Sequence, residues 1–455
     1  MASDKSAAGV RGEIGQLELL DQLLAILDTR LAKIDGGRID LNVYAADDRE
    51  RLQIALLFHI FHRCREPIDA YIDERIARDD ALLAAPWADS TYRQMLVRGV
   101  EPDYAAACVA IFFQFRRAFH FIETALKGES PSMQRLRERL WNAIFTCDTR
   151  LYVEKLWNRM EDFSTLLLGE TGTGKGAAAM ALGRSGYIPY LPEKGAFQES
   201  FTRAFLSINL SQFAENLIES ELFGHQKGAF TGAIGKHDGV FARCSPCGAI
   251  FLDEIGDVSE PIQIKLLQVL QQRTFSPVGG HETLRFSGRV IAATNQNLAR
   301  RRAEGRFRND FYYRLSSGTI ELPTLRHRLD EREDELDLLV GEIVARLAGG
   351  PDGRLAERIL AALRRDLPPG YAWPGNVREL EQAARSVLLT GHYQGDFGAA
   401  SADEDAETRR CLDGGMSLAE LERWYSRRLL DRLGSYGLVA ARLGVDWRTA
   451  KKMIG

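Results

Sequence analysis

The sequence predicts an α/β protein in which a parallel sheet covered by helices lies between two all-helical regions. From Phe163 onward, short apolar runs that end in glycine loops alternate with helical patterns, as in a parallel sheet with crossover helices. Before Phe163 and again from Glu331 onward, apolar residues recur every three or four positions, which is the spacing of amphipathic helices. A chain of 455 residues is long enough for two to four domains.

Residues 1–127 are predicted to form the first all-helical domain. Two apolar stripes at helical spacing support this: Leu17, Leu20, Leu24, Leu27, Leu31 and Ile34 before Gly36, and Cys108, Phe112, Phe115, Phe119, Ile122 and Leu126 before Gly128. The region lacks the strand-borne acidic cluster of a phosphorylated receiver domain. A ligand, a partner protein and a redox signal through Cys64 or Cys108 all remain open as its input.

Composition argues for a cytoplasmic protein without a membrane segment. The start, 1–12, lacks the layout of a secretory signal, and the apolar stretch from Ala105 to Phe115 is broken by Gln114 and Arg116. That stretch is much shorter than the roughly 20 residues that cross a bilayer. Six cysteines in a chain of this size do not form a dense disulfide framework. The net charge of −4 means that any DNA contact needs a local basic surface.

One closely spaced cysteine pair, Cys244-Ser-Pro-Cys247, admits two interpretations. Zinc sites usually combine such a pair with a second pair or with histidines at fixed spacing, and no such partner motif is visible. Two reduced cysteines in a turn is the interpretation that the sequence favours.

Three runs within the central region are predicted as buried strands: 163–168, 249–252 and 289–293. The α/β core is expected to cover 128–330, followed by a helical segment at 331–390. Residues 391–411 are rich in Gly, Ala, Asp and Glu and are predicted as a linker, and 412–455 as a last helical domain.

A phosphate-binding loop is predicted directly after the first of these strands. The pattern GxxxxGK is complete there, with a predicted helix after it, so backbone N–H groups and the lysine would converge on the phosphates of ATP. The residues concerned are Gly169, Glu170, Thr171, Gly172, Thr173, Gly174, Lys175 and Gly176. Gly176 stands where many such loops carry Ser or Thr, so the usual hydroxyl ligand of Mg²⁺ is absent.

Two acids end the second predicted strand. Asp253 would hold Mg²⁺ and Glu254 would orient and activate the attacking water, because the carboxyl end of a strand faces the ligand crevice in an open α/β sheet. The alternative is that the acids cap a helix.

Four motifs resemble the AAA+ activators of sigma-54-dependent transcription, the bacterial enhancer-binding proteins. They match in the family's order over about Gly128 to Thr390, and the first 127 residues match no family. The motifs are Glu221-Leu-Phe-Gly-His-Gln-Lys-Gly-Ala-Phe-Thr-Gly-Ala233, Arg289-Val-Ile-Ala-Ala-Thr-Asn295, Phe307-Arg-Asn-Asp-Phe-Tyr-Tyr-Arg-Leu315 and Trp373-Pro-Gly-Asn-Val-Arg-Glu-Leu380. The resemblance implies an AAA+ core with a helical lid at 331–390.

The resemblance implies that one loop touches sigma-54 and moves with the ATP cycle. Its residues are Gly228, Ala229, Phe230, Thr231, Gly232 and Ala233. An exposed aromatic residue on a flexible loop is a plausible anchor for a partner. On the pattern alone, a glycine turn with Phe230 packed inward is the alternative.

The resemblance also assigns roles around the nucleotide. Asn295 would sense the γ-phosphate, Arg378 would report the nucleotide state from the lid, and Asn209 would contact Glu254. Arg308 and Arg314 would be arginine fingers supplied by the neighbouring subunit of a ring, which the resemblance implies is a hexamer or heptamer. A helix cap, a strand-end hydrogen bond and surface ion pairs are the ordinary alternatives for these side chains.

The last helical segment is predicted to bind DNA through a helix-turn-helix similar to the Fis-like domain of the family. Gly444 fits the turn, Asp446 can cap the second helix, and that helix carries Arg448, Thr449, Lys451 and Lys452. Binding as a dimer to paired half-sites is expected. Trp447 and the position of the last residue depart from the family's usual form.

The function predicted from these patterns is that of an ATP-hydrolysing activator that binds upstream DNA and opens the closed complex of sigma-54 RNA polymerase. The alternative is a DNA-binding regulator whose AAA+ core is a nucleotide switch without action on sigma-54. A chaperone-like remodeller of other proteins is a third possibility, which the terminal helix-turn-helix disfavours.

Overall fold

A computed structural model of the chain describes residues 19–34, 39–78, 84–368, 370–395, 414–433 and 435–454. Within these ranges the residues form two compact contact units. One holds the residues up to 351 together with 375–378, and the other holds 352–374 and those from 379 onward. Most of the predicted linker at 391–411 lies outside the described residues.

Helices dominate the chain before the sheet, as predicted. They are α1 (19–33), α2 (Ala46–Arg63), α3 (Arg65–Ala77), α4 (Pro86–Val97), α5 (Pro102–Ala125) and α6 (Pro131–Phe145). Local sequence explains where the last two begin: Pro102 and Pro131 occupy the first turn, and Glu101 and Ser130 accept hydrogen bonds from the free amides of that turn. A short irregular helical segment at 149–162 leads into the sheet.

The central sheet is parallel and five-stranded. Its strands are β1 (Thr165–Leu168), β4 (Phe205–Asn209), β5 (Ala249–Asp253), β8 (Arg289–Thr294) and β9 (Gly318–Glu321). In space they lie in the order β4-β5-β8-β1-β9. Two small antiparallel pairs accompany it: β2 (Tyr190–Leu191) with β3 (Ala196–Phe197), and β6 (Thr274–Phe275) with β7 (Leu284–Arg285). The α/β fold class predicted from the sequence is therefore confirmed.

Helices of the first unit cover the sheet. They are α7 (Lys175–Gly183), α8 (Glu215–Phe223), α9 (Val240–Arg243), α10 (Glu260–Gln272), α11 (Leu298–Ala303), α12 (Asn309–Leu315), α13 (Leu325–Glu331) and α14 (Glu335–Ala348). The second unit holds α15 (Gly353–Asp366), most of α16 (Asn376–Thr390), α17 (Leu418–Leu433), α18 (Tyr436–Leu443) and α19 (Trp447–Ile454).

The two faces of the sheet belong to two different hydrophobic clusters, because successive strand residues point to opposite sides. Leu166, Leu252 and Ala292 pack on one side with α8, α10 and α12. Leu167, Phe251 and Ile291 pack on the other side, in a cluster that also contains α7 and the buried residues of α1 to α6. The N-terminal helices are thus a layer of the same hydrophobic core as the sheet.

Helix α5 is the central element of this layer and differs from the prediction made for its apolar stretch. It runs for 24 residues, so by length and composition it could cross a membrane. However, 67% of its most apolar window is buried inside the structure. The prediction of a stretch too short to span a bilayer was wrong because Gln114 and Arg116 do not interrupt the helix. Packing against neighbouring helices and α7 explains why the helix is so apolar.

Polar side chains of α5 are bonded to the residues that follow α7. The Gln114 amide donates to the Ser185 carbonyl at 2.9 Å, and the fully buried Arg117 donates to the carbonyls of Arg184 and Gly186, both at 2.8 Å. Burial lowers the pKa of Arg117 to about 9. These bonds fix α5 on the carboxyl end of α7, the helix that starts with Lys175.

Candidate nucleotide site and partner loop

The predicted phosphate-binding loop has the geometry that its sequence requires. It connects β1 to α7, and Gly172 and Gly174 adopt positive φ values of +81° and +99°, which favour glycine. A Cβ on Gly172 would lie 2.1 Å from the carbonyl oxygen of Gly375, so the close approach of the 375–378 segment also requires glycine there. The loop therefore ends at the amino terminus of a helix, where backbone N–H groups can receive an anion.

Lys175 lies inside this loop with 8% of its surface exposed. Its Nζ donates to the carbonyl oxygens of Gly169 at 2.8 Å and Glu170 at 3.1 Å. Burial lowers the pKa of the amine, and the carboxylates of Glu254 and Asp253 oppose that effect. The amine is therefore bonded to the loop and lies within electrostatic reach of the two acids at the carboxyl end of β5.

The acids lie beside the loop, at the carboxyl edge of the sheet. Burial raises the pKa of both Asp253 and Glu254 above their usual values. Glu254 has a φ of +56° and accepts a hydrogen bond from the Asn295 amide at 3.4 Å. The Asn295 side chain donates to the Thr171 hydroxyl at 3.0 Å, so it connects the acids to the loop. The structure thus brings together the phosphate-binding loop, Asp253, Glu254 and Asn295, which the sequence predicted separately.

Asn209 contacts a different acid from the one that the resemblance implied. Its side-chain amide donates to Asp253 Oδ2 at 3.4 Å, not to Glu254. The reason is strand register, because Asn209 on β4 pairs directly with Asp253 on β5. Its Oδ1 is occupied by the Ser211 amide at 3.0 Å and hydroxyl at 2.7 Å.

Asn376 is a residue of this site that sequence reasoning missed. It is fully buried with a φ of +53°, and its side chain donates to Thr171 O at 3.0 Å and to Glu170 Oε2 at 3.2 Å while accepting from Leu325 N. The neighbouring Val377 amide donates to Gly172 O at 3.1 Å. The motif from Trp373 to Leu380 was the available signal, but only Arg378 was assigned a role from it.

Two further residues complete the surroundings of the loop. Arg378 is close enough to influence the charges of Lys175 and Asp253. Arg326 pairs with Glu170, with one nitrogen–oxygen distance of 2.9 Å, and lowers the pKa of that carboxyl. A Cβ on Gly176 would have no atom within 4 Å, so nothing in the fold requires glycine at this position.

The two predicted arginine fingers are bonded within their own chain. Arg308 pairs with Glu260 at 3.0 Å and Asp310 at 2.9 Å, which raises its pKa further above the usual range. Arg314 donates twice to the Leu270 carbonyl, at 3.0 and 2.8 Å. Among the described residues, neither arginine is bonded to Lys175, Asp253 or Glu254.

The loop from Gly228 to Ala233 is a tight turn with an exposed tip. Gly228 N donates to Ala233 O at 2.9 Å and Ala233 N to Phe230 O at 3.0 Å. Phe230 is 39% exposed, with its ring 4.9 Å from that of His225. A Cβ on Gly228 or Gly232 would meet no atom within 4 Å. The aromatic tip is therefore not packed into the interior.

The C-terminal helices carry the predicted DNA-contacting residues. Helices α18 and α19 meet at Gly444, which has a φ of +67°, and pack through Val439, Ala440 and Ala450. Asp446 accepts from the amides of Arg448 at 2.9 Å and Thr449 at 3.1 Å, so it caps α19 as predicted. The Thr449 hydroxyl is also bonded to Asp446 at 2.5 Å, whereas Lys451 and Lys452 are exposed.

The cysteine pair at Cys244 and Cys247 is not part of a metal cluster in the described portion of the chain, where no group of three or more suitable side chains occurs. Burial raises the pKa of both thiols to about 12. Both are free.

Comparison with known proteins identifies relatives for much of the chain. Residues 150–321 match the family model described as sigma-54 interaction domain. The transcriptional regulatory protein ZraR of Klebsiella oxytoca is 39% identical over 294 residues, which cover 63% of this chain and 62% of ZraR. The Nif-specific regulatory protein of Enterobacter agglomerans is 38% identical over 291 residues, which cover 64% of this chain and 52% of that protein.

A third relative matches over a shorter range. The hydrogenase transcriptional regulatory protein HoxA of Cupriavidus necator is 42% identical over 230 residues, which cover 50% of this chain and 44% of HoxA. The match thus spans less than two thirds of the length of each of these three relatives.

Proposed function

We propose that this chain, which belongs to the sigma-54 activator family of AAA+ proteins, hydrolyses ATP in order to remodel sigma-54 RNA polymerase while bound to upstream DNA. The observation that carries the proposal is the convergence of Lys175, Asp253 and Glu254 on one phosphate-binding loop, in a core that also presents the aromatic tip of Phe230. A mere nucleotide switch has no need of an exposed aromatic loop of this sequence.

The side chains at the loop fit a nucleotide and its metal. Lys175 is positioned to neutralise phosphate oxygens once it exchanges its present carbonyl partners for them. Asp253 is a hard oxygen ligand, and water would complete the shell because Gly176 has no hydroxyl. When bound, Mg²⁺ would neutralise charge that develops on the phosphates.

Glu254 is proposed as the base that orients and activates the attacking water. Burial raises its pKa, which brings the carboxyl closer to the range useful for proton transfer, and the Asn295 amide holds its Oε2. Because Asn295 is also bonded to Thr171 of the loop, a change at the terminal phosphate would be felt at this carboxylate.

Arg308 and Arg314 are proposed to act on a neighbouring subunit of a ring. Within the chain, each already has acceptors for its guanidinium. Assembly would therefore require Arg308 to exchange Glu260 and Asp310 for phosphate oxygens of the neighbour.

The C-terminal helices are proposed to tether the protein to DNA as a dimer. The exposed Lys451 and Lys452 on α19 would contact phosphates or bases in the major groove, with Arg448 at the start of the same helix. Tethering would raise the local concentration of the activator at the promoter.

Replacing the aromatic tip tests the proposal directly. Phe230→Ala is expected to retain ATPase activity within about twofold and to lose open-complex formation by sigma-54 RNA polymerase, because only the partner anchor is removed. Ile234→Ala is the matched control, since Ile234 is also exposed but lies just outside the turn.

The outcomes separate the competing functions. Promoter opening that survives Phe230→Ala would contradict the loop assignment. Wild-type protein that binds DNA and nucleotide but never opens a sigma-54 promoter would support the nucleotide-switch alternative. Activation of sigma-70 polymerase in a parallel reaction would exclude sigma-54 as the specific partner.

A further inference from the structure

A cavity of about 270 Å³ lies on the opposite side of the fold from the candidate nucleotide site. It opens at the amino edge of the sheet, where β5 and β8 begin with Ala249 and Arg289, whereas Lys175, Asp253 and Glu254 belong to the carboxyl edge. Its other walls are the helical segment at 149–162 and the loop that follows α7. The cavity is thus formed where the N-terminal helical layer meets the core.

One wall of the cavity is aromatic. The rings of Trp157 and Tyr187 lie 4.4 Å apart between centroids, and the aliphatic side chains of Ile144 and Leu182 line the space beside them. Such a wall favours a flat apolar body, since aromatic rings pack best against other ring faces and edges. The volume of about 270 Å³ lies just below the range of about 300–1,000 Å³ that is usual for small-molecule sites, so only a small ligand would fit.

Tyr187 is half-buried, and its hydroxyl makes no hydrogen bond to any described residue. By contrast, the hydroxyl of the fully buried Tyr152 is bonded to Gln114 at 2.9 Å. The Tyr187 hydroxyl therefore remains available to water or a ligand. Asn158 and Gln198 are exposed at the rim, where they can bond a ligand or solvent.

Arg289 gives the cavity a cationic end. Its Nε and Nη2 donate to Phe163 O at 3.1 Å, Ala143 O at 2.8 Å and Thr165 Oγ1 at 2.9 Å. Its Nη1 has no hydrogen-bond partner in the described portion of the chain. No carboxylate forms an ion pair with it there, although Glu161 also lines the cavity. A half-buried guanidinium without an ion-pair partner is well suited to an anionic ligand.

We propose that this cavity binds a small aromatic carboxylic acid, with its ring against Trp157 and Tyr187 and its carboxylate directed to Arg289. The ligand would touch the loop from Ser185 to Tyr187, in which the carbonyls of Ser185 and Gly186 accept hydrogen bonds from Gln114 and Arg117 of α5. Because this loop follows α7, a ligand in the cavity would affect the position of α7, the helix that starts at Lys175. That last consequence rests on the proposed function, whereas binding itself does not.

Binding can be tested on the full chain by saturation-transfer NMR, without ATP, DNA or polymerase. The probes are 4-hydroxybenzoate, its neutral amide 4-hydroxybenzamide and the cation 4-hydroxybenzylamine, which share one ring and differ in charge. The acid is expected to bind in the millimolar range or tighter. The amide is expected to bind at least about tenfold more weakly, and the amine more weakly still, because each loses the charge-assisted contact.

Two variants locate the binding. Tyr187→Phe removes only the hydroxyl and should weaken binding of the acid about fivefold or more. Ser287→Leu should block binding because the larger side chain would fill part of the cavity. Tyr92→Phe is the matched control, because Tyr92 is also half-buried but does not line the cavity. Circular dichroism would verify that each variant is folded.

Four results would overturn the proposal. The first is that none of the probes binds, and the second is that acid and amide bind equally. The third is that saturating ADP displaces the acid, and the fourth is that Ser287→Leu leaves its affinity unchanged, since in either case the acid would occupy another site. Loss of sigma-54 activity in separate assays would change none of these binding results, so the test is independent of the proposed function.

Discussion

The two helical regions that precede and follow the sheet along the chain differ in how their helices pack. The helices up to 145 share one continuous hydrophobic cluster with a face of the sheet, and that cluster includes Phe113 of α5 and Ala178 and Ala179 of α7. The last helices, α18 and α19, instead pack on each other through Val439, Ala440 and Ala450. Amphipathic periodicity is similar in both, yet one region is a layer of the α/β core and the other has a small core of its own.

This contrast implies that changes in the N-terminal helices and changes in the C-terminal helices affect the nucleotide site to different extents. A layer that shares the core can alter the nucleotide site through packing and through the bonds from Gln114 and Arg117 to the residues after α7. A region with its own core can be changed with little effect on the nucleotide site. Each prediction below tests one side of this difference.

Truncation should give the largest effect. A fragment that begins at Gly128 would expose the faces of the sheet and of α7 that the N-terminal helices cover, so we expect aggregation and no measurable ATPase activity. A fragment that ends at 395 should keep a wild-type melting temperature for its main transition and ATPase activity within about threefold. Thermal melts and phosphate release measure both; a soluble, active fragment from Gly128 would contradict the shared core.

Single core substitutions should reproduce the contrast at smaller scale. Phe113→Ala leaves a cavity in the shared cluster and should cost about 3–5 kcal/mol of unfolding free energy, with loss of ATPase activity. Val439→Ala should weaken DNA binding while ATP turnover stays unchanged, because its contacts lie among the C-terminal helices. Denaturant unfolding and DNA titration distinguish them; equal loss of ATPase in both variants would break the comparison.

Arg117→Met should act on the nucleotide rather than only on stability. It leaves the part-buried carbonyls of Arg184 and Gly186 without their donor, each at a cost of about 1 kcal/mol, and so loosens the carboxyl end of α7. We expect the Kd of a fluorescent ATP analogue to rise about tenfold. Arg116→Ala is the control, because the adjacent Arg116 pairs with Asp69 instead; equal effects of the two variants would refute the positioning role.

The smallest effects on the motor are expected at the basic helix. Lys451→Ala and Lys452→Ala should each reduce the slope of log affinity for DNA against log salt by about 1, with ATPase activity unchanged. Lys194→Ala, an exposed lysine of the first unit, should leave DNA binding as it was. A salt slope that neither lysine alters would remove α19 from the DNA interface.

Much of this arrangement could be predicted from the sequence, because it depends on local sequence patterns. The predicted strand at 249–252 appears as Ala249–Asp253 and the one at 289–293 as Arg289–Thr294. The glycine loop, Lys175 and the acids lie together because the carboxyl ends of parallel strands meet at one edge.

What the sequence did not reveal depends on contacts between distant segments. Periodicity showed that α5 has a buried face but not that α7 covers it. Strand register, which the sequence does not display, decides that Asn209 faces Asp253 rather than Glu254. The role of Asn376 depends on the approach of its backbone to Gly172, which no local pattern encodes.

Hydrogen exchange at residues 226–234 tests most directly whether the nucleotide pocket drives the partner loop. In a Glu254→Gln chain, which should bind ATP and hydrolyse little, we predict that the amides of Gly228 and Ala233 exchange at rates that differ at least about threefold between saturating ATP and saturating ADP. Lys175→Ala should abolish the difference. Identical exchange in both nucleotides, with binding of each verified, would contradict the account.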